Sequence, residues 1–449
     1  MKNVEINEIK EASGVRRRLV HVNLPKKDLI FSTPCFFVEP KSSWDVDFLS
    51  DWVENNKFKK NCFQGVIIPF NNVKKLLLPK KTRSVQLNLD GTKKENGFLE
   101  IIENKVIIID PLGESSYLSL VDPDQIDIEN LPLEYVEQIK KIGIGKKKGD
   151  ESRNKKRIDK IKLFREYIHK LHGKEFNHTL KFLQRSKRLG SKILLAPSNL
   201  IIPEVSESLD MAIKINKETE KICKTHEGWI PAANFVLKTS TLEEYDYLDK
   251  ILKYINEEQP QFFFFKIVDS YGLDSRNAGI QRDNLKRFLK GLKVVSKKFK
   301  IPVFALNVDS LGLFMLQAGI DGFSTPSNGI VENMFVSYKN TDLPSFLKGK
   351  YFYYYFLSMI SLRALKKIYD SHGKKFPCPY GCCNEYNGRD FSTFIGKTKS
   401  KLTRTHYFNT MDNLVLETQQ AIENDSVRAA FNKLAESSCK HYLEIIPNH

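Results

Sequence analysis

Short apolar runs rich in β-branched and aromatic residues recur along this chain of 449 residues, and helical spacing separates the later ones. The runs are Leu29–Val38, Gly65–Phe70, Lys105–Asp110, Lys192–Pro197, Asn234–Leu237, Gln261–Asp269, Ile301–Asp309 and Asp321–Thr325. Helical periodicity covers Leu209–Cys223, Leu242–Asn256 and Asp283–Phe299, with a shorter helix at Leu311–Ala318. Eight strands alternating with helices predict an α/β fold, a (β/α)8 TIM-type barrel. A doubly wound open sheet is the runner-up, but no Gly-rich phosphate loop follows an early strand. Around this frame the sequence predicts a hairpin within Arg83–Glu100, an aromatic-rich helix at Lys350–Tyr369 and mostly helix from Asp412 to Leu443.

Chemistry in such a barrel sits at the C-terminal strand ends. The polar residues falling there are Glu39, Asp110, Ser198, Asp269, Asp309, Ser324 and Thr325. Asp also ends strands simply by capping the next helix, so no single one is diagnostic.

Beyond the barrel, Cys378, Cys382 and Cys383 fall within six residues, and His406 follows 23 positions after the last. Three thiolates and one imidazole complete a tetrahedral zinc shell with no position left for substrate, so the expected Zn2+ is structural. Adjacent cysteines both ligate only on a bent backbone, so one of Cys382 and Cys383 can be a bystander, with His372 completing the shell. The remaining cysteines are scattered, which fits reduced thiols better than a disulfide framework. The N-terminus has no apolar signal core and no run approaches 18 apolar residues, so the expectation is a cytoplasmic protein with no membrane contact. The expected division is a barrel over 1–372 with a basic insert around 140–190, followed by a zinc knuckle and C-terminal helices over 373–449.

A net charge of +17 favours a polyanionic partner. Uniform lysine enrichment would not concentrate basic residues as the stretch from Lys140 to Arg165 does, with a second run at Lys181–Arg188. Lys146, Lys147, Lys148, Arg153, Lys155, Lys156 and Arg157 are the candidate phosphate contacts.

Four stretches, in order, resemble the tRNA-guanine transglycosylase (queuine or archaeosine tRNA-ribosyltransferase) superfamily. Glu8–Pro40, with its Thr33-Pro34 strand, is similar to the archaeal opening, and Ile107–Tyr117 to a degraded form of the TDSGGF segment. Pro302–Thr325 resembles the strand–helix–strand ending in GIDMFD, here GIDGFS. The cysteine cluster with His406 resembles the family's CxCxxC…H zinc site, although here the spacing is C-x3-C-C. The Pro377-Cys378 dipeptide begins an archaeosine-synthase-type signature whose Lys-Pro-Tyr is absent.

The resemblance implies exchange of guanine for a 7-deazaguanine-type base through a covalent glycosyl-enzyme, with one carboxylate attacking C1′ and another serving in acid/base steps. It maps the acid/base carboxylate onto Asp110, but the glycines after it are mostly replaced by Pro111-Leu-Gly-Glu-Ser115. The nucleophile's position holds Ser324, and Asp321, three residues earlier, faces the other side of a strand. Asp269 and Asp309 are the candidates for a relocated carboxylate. The implied partners are tRNA or other nucleic acid, and a homo- or heterodimer. Two other readings stay open. One is a catalytically silent transglycosylase-like subunit that binds nucleic acid and an active partner. The other is an unrelated zinc-stapled barrel enzyme.

Overall fold

A computed structural model describes residues 4–13, 15–25, 28–40, 48–49, 51–53, 62–70, 105–111, 150–268, 278–308, 311–326, 350–354, 358–394, 397–430 and 432. Its core is a run of parallel strands: β4 (Cys35–Glu39), β5 (Phe63–Pro69), β6 (Val106–Asp110), β7 (Leu194–Leu195), β9 (Pro231–Lys238), β10 (Phe263–Val268), β11 (Val303–Leu306) and β12 (Gly322–Pro326). They pair in the order β6-β5-β4-β12-β11-β10-β9-β7, with short β8 (Leu200–Ile201) also pairing to β9. A parallel bridge between Ile108 and Ile193, with the Lys192 amide donating to Ile107 O at 2.9 Å, brings β7 back to β6. The result is a nearly closed eight-stranded parallel barrel, and each of the eight predicted runs contributes a strand.

Side-chain alternation builds its interior. Cys35, Phe37, Ile67, Val106, Ile108, Phe262, Phe264, Phe304 and Leu306 form one buried cluster inside the barrel. Their odd-numbered or even-numbered neighbours, such as Phe36, Ile107, Phe263, Ala305 and Phe323, belong to the larger core between strands and helices. The helices Glu207–Lys224, Tyr245–Glu258, Ala278–Phe299 and Leu311–Gln317 cover the later strands. Two further helices, Asp150–Leu171 and Glu175–Arg188, lie in the basic region between β6 and β7. Phe164, Tyr167, Ile168 and Leu171 on the first are buried against Leu200, Ile202 and Met211.

The predicted strand Leu29–Val38 is two strands in different sheets. Its first half, β3 (Leu29–Ser32), joins β1 (Val4–Ala12) and β2 (Val15–Val22) in an antiparallel sheet, and the chain enters the barrel as β4 after Thr33-Pro34. Val20, Val22, Leu29 and Phe31 of this small sheet pack on the interior cluster beside Phe262 and Ile230, which precede β10 and β9. They therefore close the N-terminal end of the barrel. Arg16 and Arg18 are buried there, with guanidinium nitrogens 3.4 and 3.2 Å from Asp321 Oδ2, which also accepts the Val303 amide at 2.9 Å. Asp321 thus anchors the plug, at the end of β12 opposite to the chemistry.

The predicted helix Lys350–Tyr369 begins instead as a hairpin, β13 (Lys350–Tyr353) with β14 (Ser358–Ser361), and only Leu362–Ser371 is helical. The aromatic run Tyr351–Tyr353 favours extended backbone, which explains the change. The last long helix, Lys397–Glu423, starts well before the predicted Asp412. No helix among the described residues is long and apolar enough to cross a membrane. The predicted hairpin in Arg83–Glu100 lies outside the described residues.

Candidate active site and metal centre

The alternation that fills the barrel with apolar side chains turns polar at its C-terminal end. Continuing the inward parity, Glu39 follows Cys35 and Phe37, Asp110 follows Val106 and Ile108, and Lys266 follows Phe262 and Phe264. Ser324 follows outward-facing Phe323 and is likewise inward. All four are buried. They make a polar layer on top of an apolar plug, at the end where barrel enzymes carry their chemistry.

Two linked pairs make up this layer. Lys266 Nζ lies 3.3 Å from Asp110 Oδ2, joining β10 to β6 across the strands β9 and β7. On the other side, Ser324 Oγ donates to Glu39 Oε1. The Asn307 amide donates to both, at 2.9 Å to Glu39 Oε1 and 2.7 Å to Ser324 Oγ. Asn307 follows β11 with φ of 55°, the left-handed region that Asn tolerates better than most residues, and this turn places its amide within reach of both oxygens. Its own carboxamide oxygen is buried with no hydrogen-bond partner among the described residues. Buried charges in a low-dielectric setting are costly unless paired, so such a layer is an unusual thing to place in a barrel interior.

Asp110 and Ser324, two of the sequence-predicted catalytic residues, therefore lie at the same mouth. Asp269 and Asp309 lie outside the described residues. So do Lys146, Lys147 and Lys148, while Arg153, Lys155, Lys156 and Arg157 lie on the helix Asp150–Leu171. Sequence reasoning noted Glu39 only as a strand end and passed over Lys266. Parity was the available signal: a lysine breaks the run Phe262-Phe-Phe-Phe-Lys266 at an inward position.

A candidate metal centre forms in the C-terminal region. Sγ of Cys378, Cys382 and Cys383 and one ring nitrogen of His406 all lie within 4.8 Å of one another, a group that can hold a metal ion. His406 Nε2 is 2.8 Å from Phe352 O and donates to it, so Nδ1 carries the lone pair. That lone pair faces Cys382 Sγ at 3.4 Å and Cys383 Sγ at 3.5 Å. A tetrahedral zinc ion would set sulfur–nitrogen edges of about 3.5 Å and sulfur–sulfur edges of about 3.8 Å. The Cys378–Cys382 and Cys382–Cys383 separations, 3.2 and 4.0 Å, straddle the latter. Gly381, at φ of 71°, supplies the bend that lets both adjacent cysteines face the same point.

Close packing couples the three thiols. Hydrogen bonds from Cys382 and Cys383 hold the Cys378 thiol far below its usual range. The bond to Cys378 pushes Cys382 up to about 12 and drives Cys383 well above the thiol range. A bound cation would offset the mutual repulsion of three thiolates. Tyr351 completes the surroundings. Its ring stacks on His406 at 4.2 Å between centroids, and its hydroxyl lies 3.6 Å from Cys383 Sγ. His372 Nδ1 is instead 2.8 Å from Ile368 O, on the helix Leu362–Ser371.

The helix Lys397–Glu423 carries His406 and also lies along the barrel. Tyr407 hydrogen-bonds Thr325, Asp412 accepts the Cys62 amide at 2.6 Å, and Gln419 donates to Pro34 O at 2.7 Å. His406 and the mouth are thus linked by immediate neighbours, His406-Tyr407 on one side and Thr325-Ser324 on the other. No family model matches the chain, and no curated protein matches it.

Proposed function

We propose that the protein is a transglycosylase-like enzyme, exchanging a guanine or 7-deazaguanine base at C1′ of a nucleotide in tRNA or DNA, with zinc in the Cys378–Cys382–Cys383–His406 group. The observation that carries this reading is the pair of buried carboxylates, Glu39 and Asp110, on the inward face at one barrel mouth. Exchange with retention needs two carboxylates, one for a covalent glycosyl-enzyme and one for proton transfer. Asp110 takes the acid/base role, with Lys266 Nζ paired to it at 3.3 Å. The order of the motif resemblances and the basic charge of the chain support a polyanionic substrate. Zinc here holds the helix Lys397–Glu423 in place and takes no part in the chemistry.

A second reading is a silent subunit that binds nucleic acid and an active partner. Ser324 at the usual nucleophile position favours it. Incorporation of labelled guanine into bulk tRNA and bulk DNA separates the two. The enzyme reading expects incorporation by the wild type and a loss of at least about 100-fold in Asp110→Asn. Absence of incorporation into either nucleic acid, together with tight binding to an active transglycosylase, would establish the silent subunit instead.

A further inference from the structure

The proposed exchange leaves its covalent step without an assigned residue, because the position expected to hold the attacking carboxylate holds a serine. β4 is the hydrogen-bonded neighbour of β12, pairing Phe37 with Ser324 and Glu39 with Pro326. From that strand the Glu39 side chain reaches back to the Ser324 hydroxyl and accepts its hydrogen bond. A carboxylate thus stands at the β12 position after all, delivered from the adjacent strand.

We propose that Glu39 is the nucleophile that forms the glycosyl-enzyme, a role that rests on the exchange reading above. Two atoms compete for it, Glu39 Oε and Ser324 Oγ. The Asn307 amide donates to both, at 2.7 Å to Ser324 Oγ and 2.9 Å to Glu39 Oε1, so that bond does not distinguish them. Chemistry separates them. Attack by serine would give an O-glycosyl acetal, whose alkoxide leaves poorly and would need protonation at every turnover. Attack by glutamate gives a glycosyl ester, whose carboxylate is a good leaving group.

The step balances without any redox partner. A Glu39 oxygen forms a bond to C1′ while the C1′–N9 bond breaks, and the purine departs with that electron pair. It takes a proton from the Asp110–Lys266 pair. The incoming base then attacks C1′ through N9, the ester C–O bond breaks, Glu39 regains its carboxylate, and the N9 proton returns to the Asp110–Lys266 pair. Ser324 and the Asn307 amide act as positioning groups. They hold the Glu39 carboxylate and disperse its charge.

The test is to quench the full-length protein with acid during exchange of guanine into bulk tRNA and bulk DNA, digest it, and map the adduct by mass spectrometry. The expected adduct lies on the peptide containing Glu39 and is released by hydroxylamine, as an ester is and an acetal is not. Glu39→Gln, checked by circular dichroism and bound zinc for an unchanged fold, forms no adduct and loses at least about 1000-fold in exchange. Ser324→Ala still forms the adduct, with exchange lowered about tenfold. A hydroxylamine-stable adduct on Ser324, or exchange in Glu39→Gln above a tenth of wild type, overturns Glu39 and leaves the exchange reading intact. If the wild type neither exchanges guanine nor forms an adduct with either nucleic acid, both fall.

Discussion

Lys266 and Asp110 show how much a single buried residue decides here. Both side chains are nearly inaccessible, at 5% and 3% exposure, so removing one leaves the other buried without this counter-charge. Such losses run to about 3–5 kcal/mol, whereas neutralising both removes the desolvation burden along with the attraction. Urea denaturation should therefore find Lys266→Met and Asp110→Asn each strongly destabilising, and the double variant less so than their sum; strict additivity would contradict the pairing. Asp412 makes a second residue-level prediction. Burial pushes its carboxyl up to about 6, against the lowering effect of the Cys62 amide bond and Lys105. The unfolded value is near 3.9, so between about pH 4 and 6 the native state binds the extra proton and this group's contribution to stability rises as pH falls. Asp412→Asn should remove that contribution, seen as a smaller stability gain than wild type between pH 7 and 4.5. Neither residue was assigned a role from sequence, because each depends on a partner more than 40 positions away: Lys266 on Asp110, Asp412 on Cys62.

The elements around the Cys378–Cys382–Cys383–His406 group act as one clamp. β13 supplies Tyr351 and Phe352, the turn at Gly381 supplies the cysteines, and the helix Lys397–Glu423 supplies His406 while Tyr407 touches Thr325. Purified protein should hold about one zinc per chain, and Cys382→Ser and Cys383→Ser should each fall below half. Full retention in either would make that cysteine a bystander. Chelation should raise amide exchange in the segments 362–394 and 397–423 while β9, β10 and β11 stay protected, because their hydrogen bonds run within the barrel. The four residues of this group were picked out from residue type and spacing, and the structure brings them together. The hairpin was not: the sequence pattern at Tyr351–Phe356 reads equally as an aromatic helix face, and only the pairing with Ser358–Ser361 fixes it as strand. Likewise Leu29–Val38 reads as one apolar run, although its two halves serve different sheets.

At the scale of the whole molecule, the eight-strand alternation was legible because every barrel strand is a short apolar run bounded by turn residues. The polar layer at its mouth was not, since Glu39, Asp110, Lys266 and Ser324 come from four strands and meet only on closure. The charge of +17 adds a prediction at this scale: reversing charges within Lys146–Arg157 should weaken nucleic-acid binding and flatten its salt dependence, and an unchanged affinity and slope would reduce that run to a solvated surface. The central claim is that the barrel mouth carries out base exchange. Its most direct measurement follows tRNA and DNA bearing labelled guanine, incubated with excess unlabelled guanine and with wild type, Glu39→Gln or Asp110→Asn. The account predicts release of label by the wild type alone. Label retained in both nucleic acids by the wild type, or released equally by all three proteins, would contradict it.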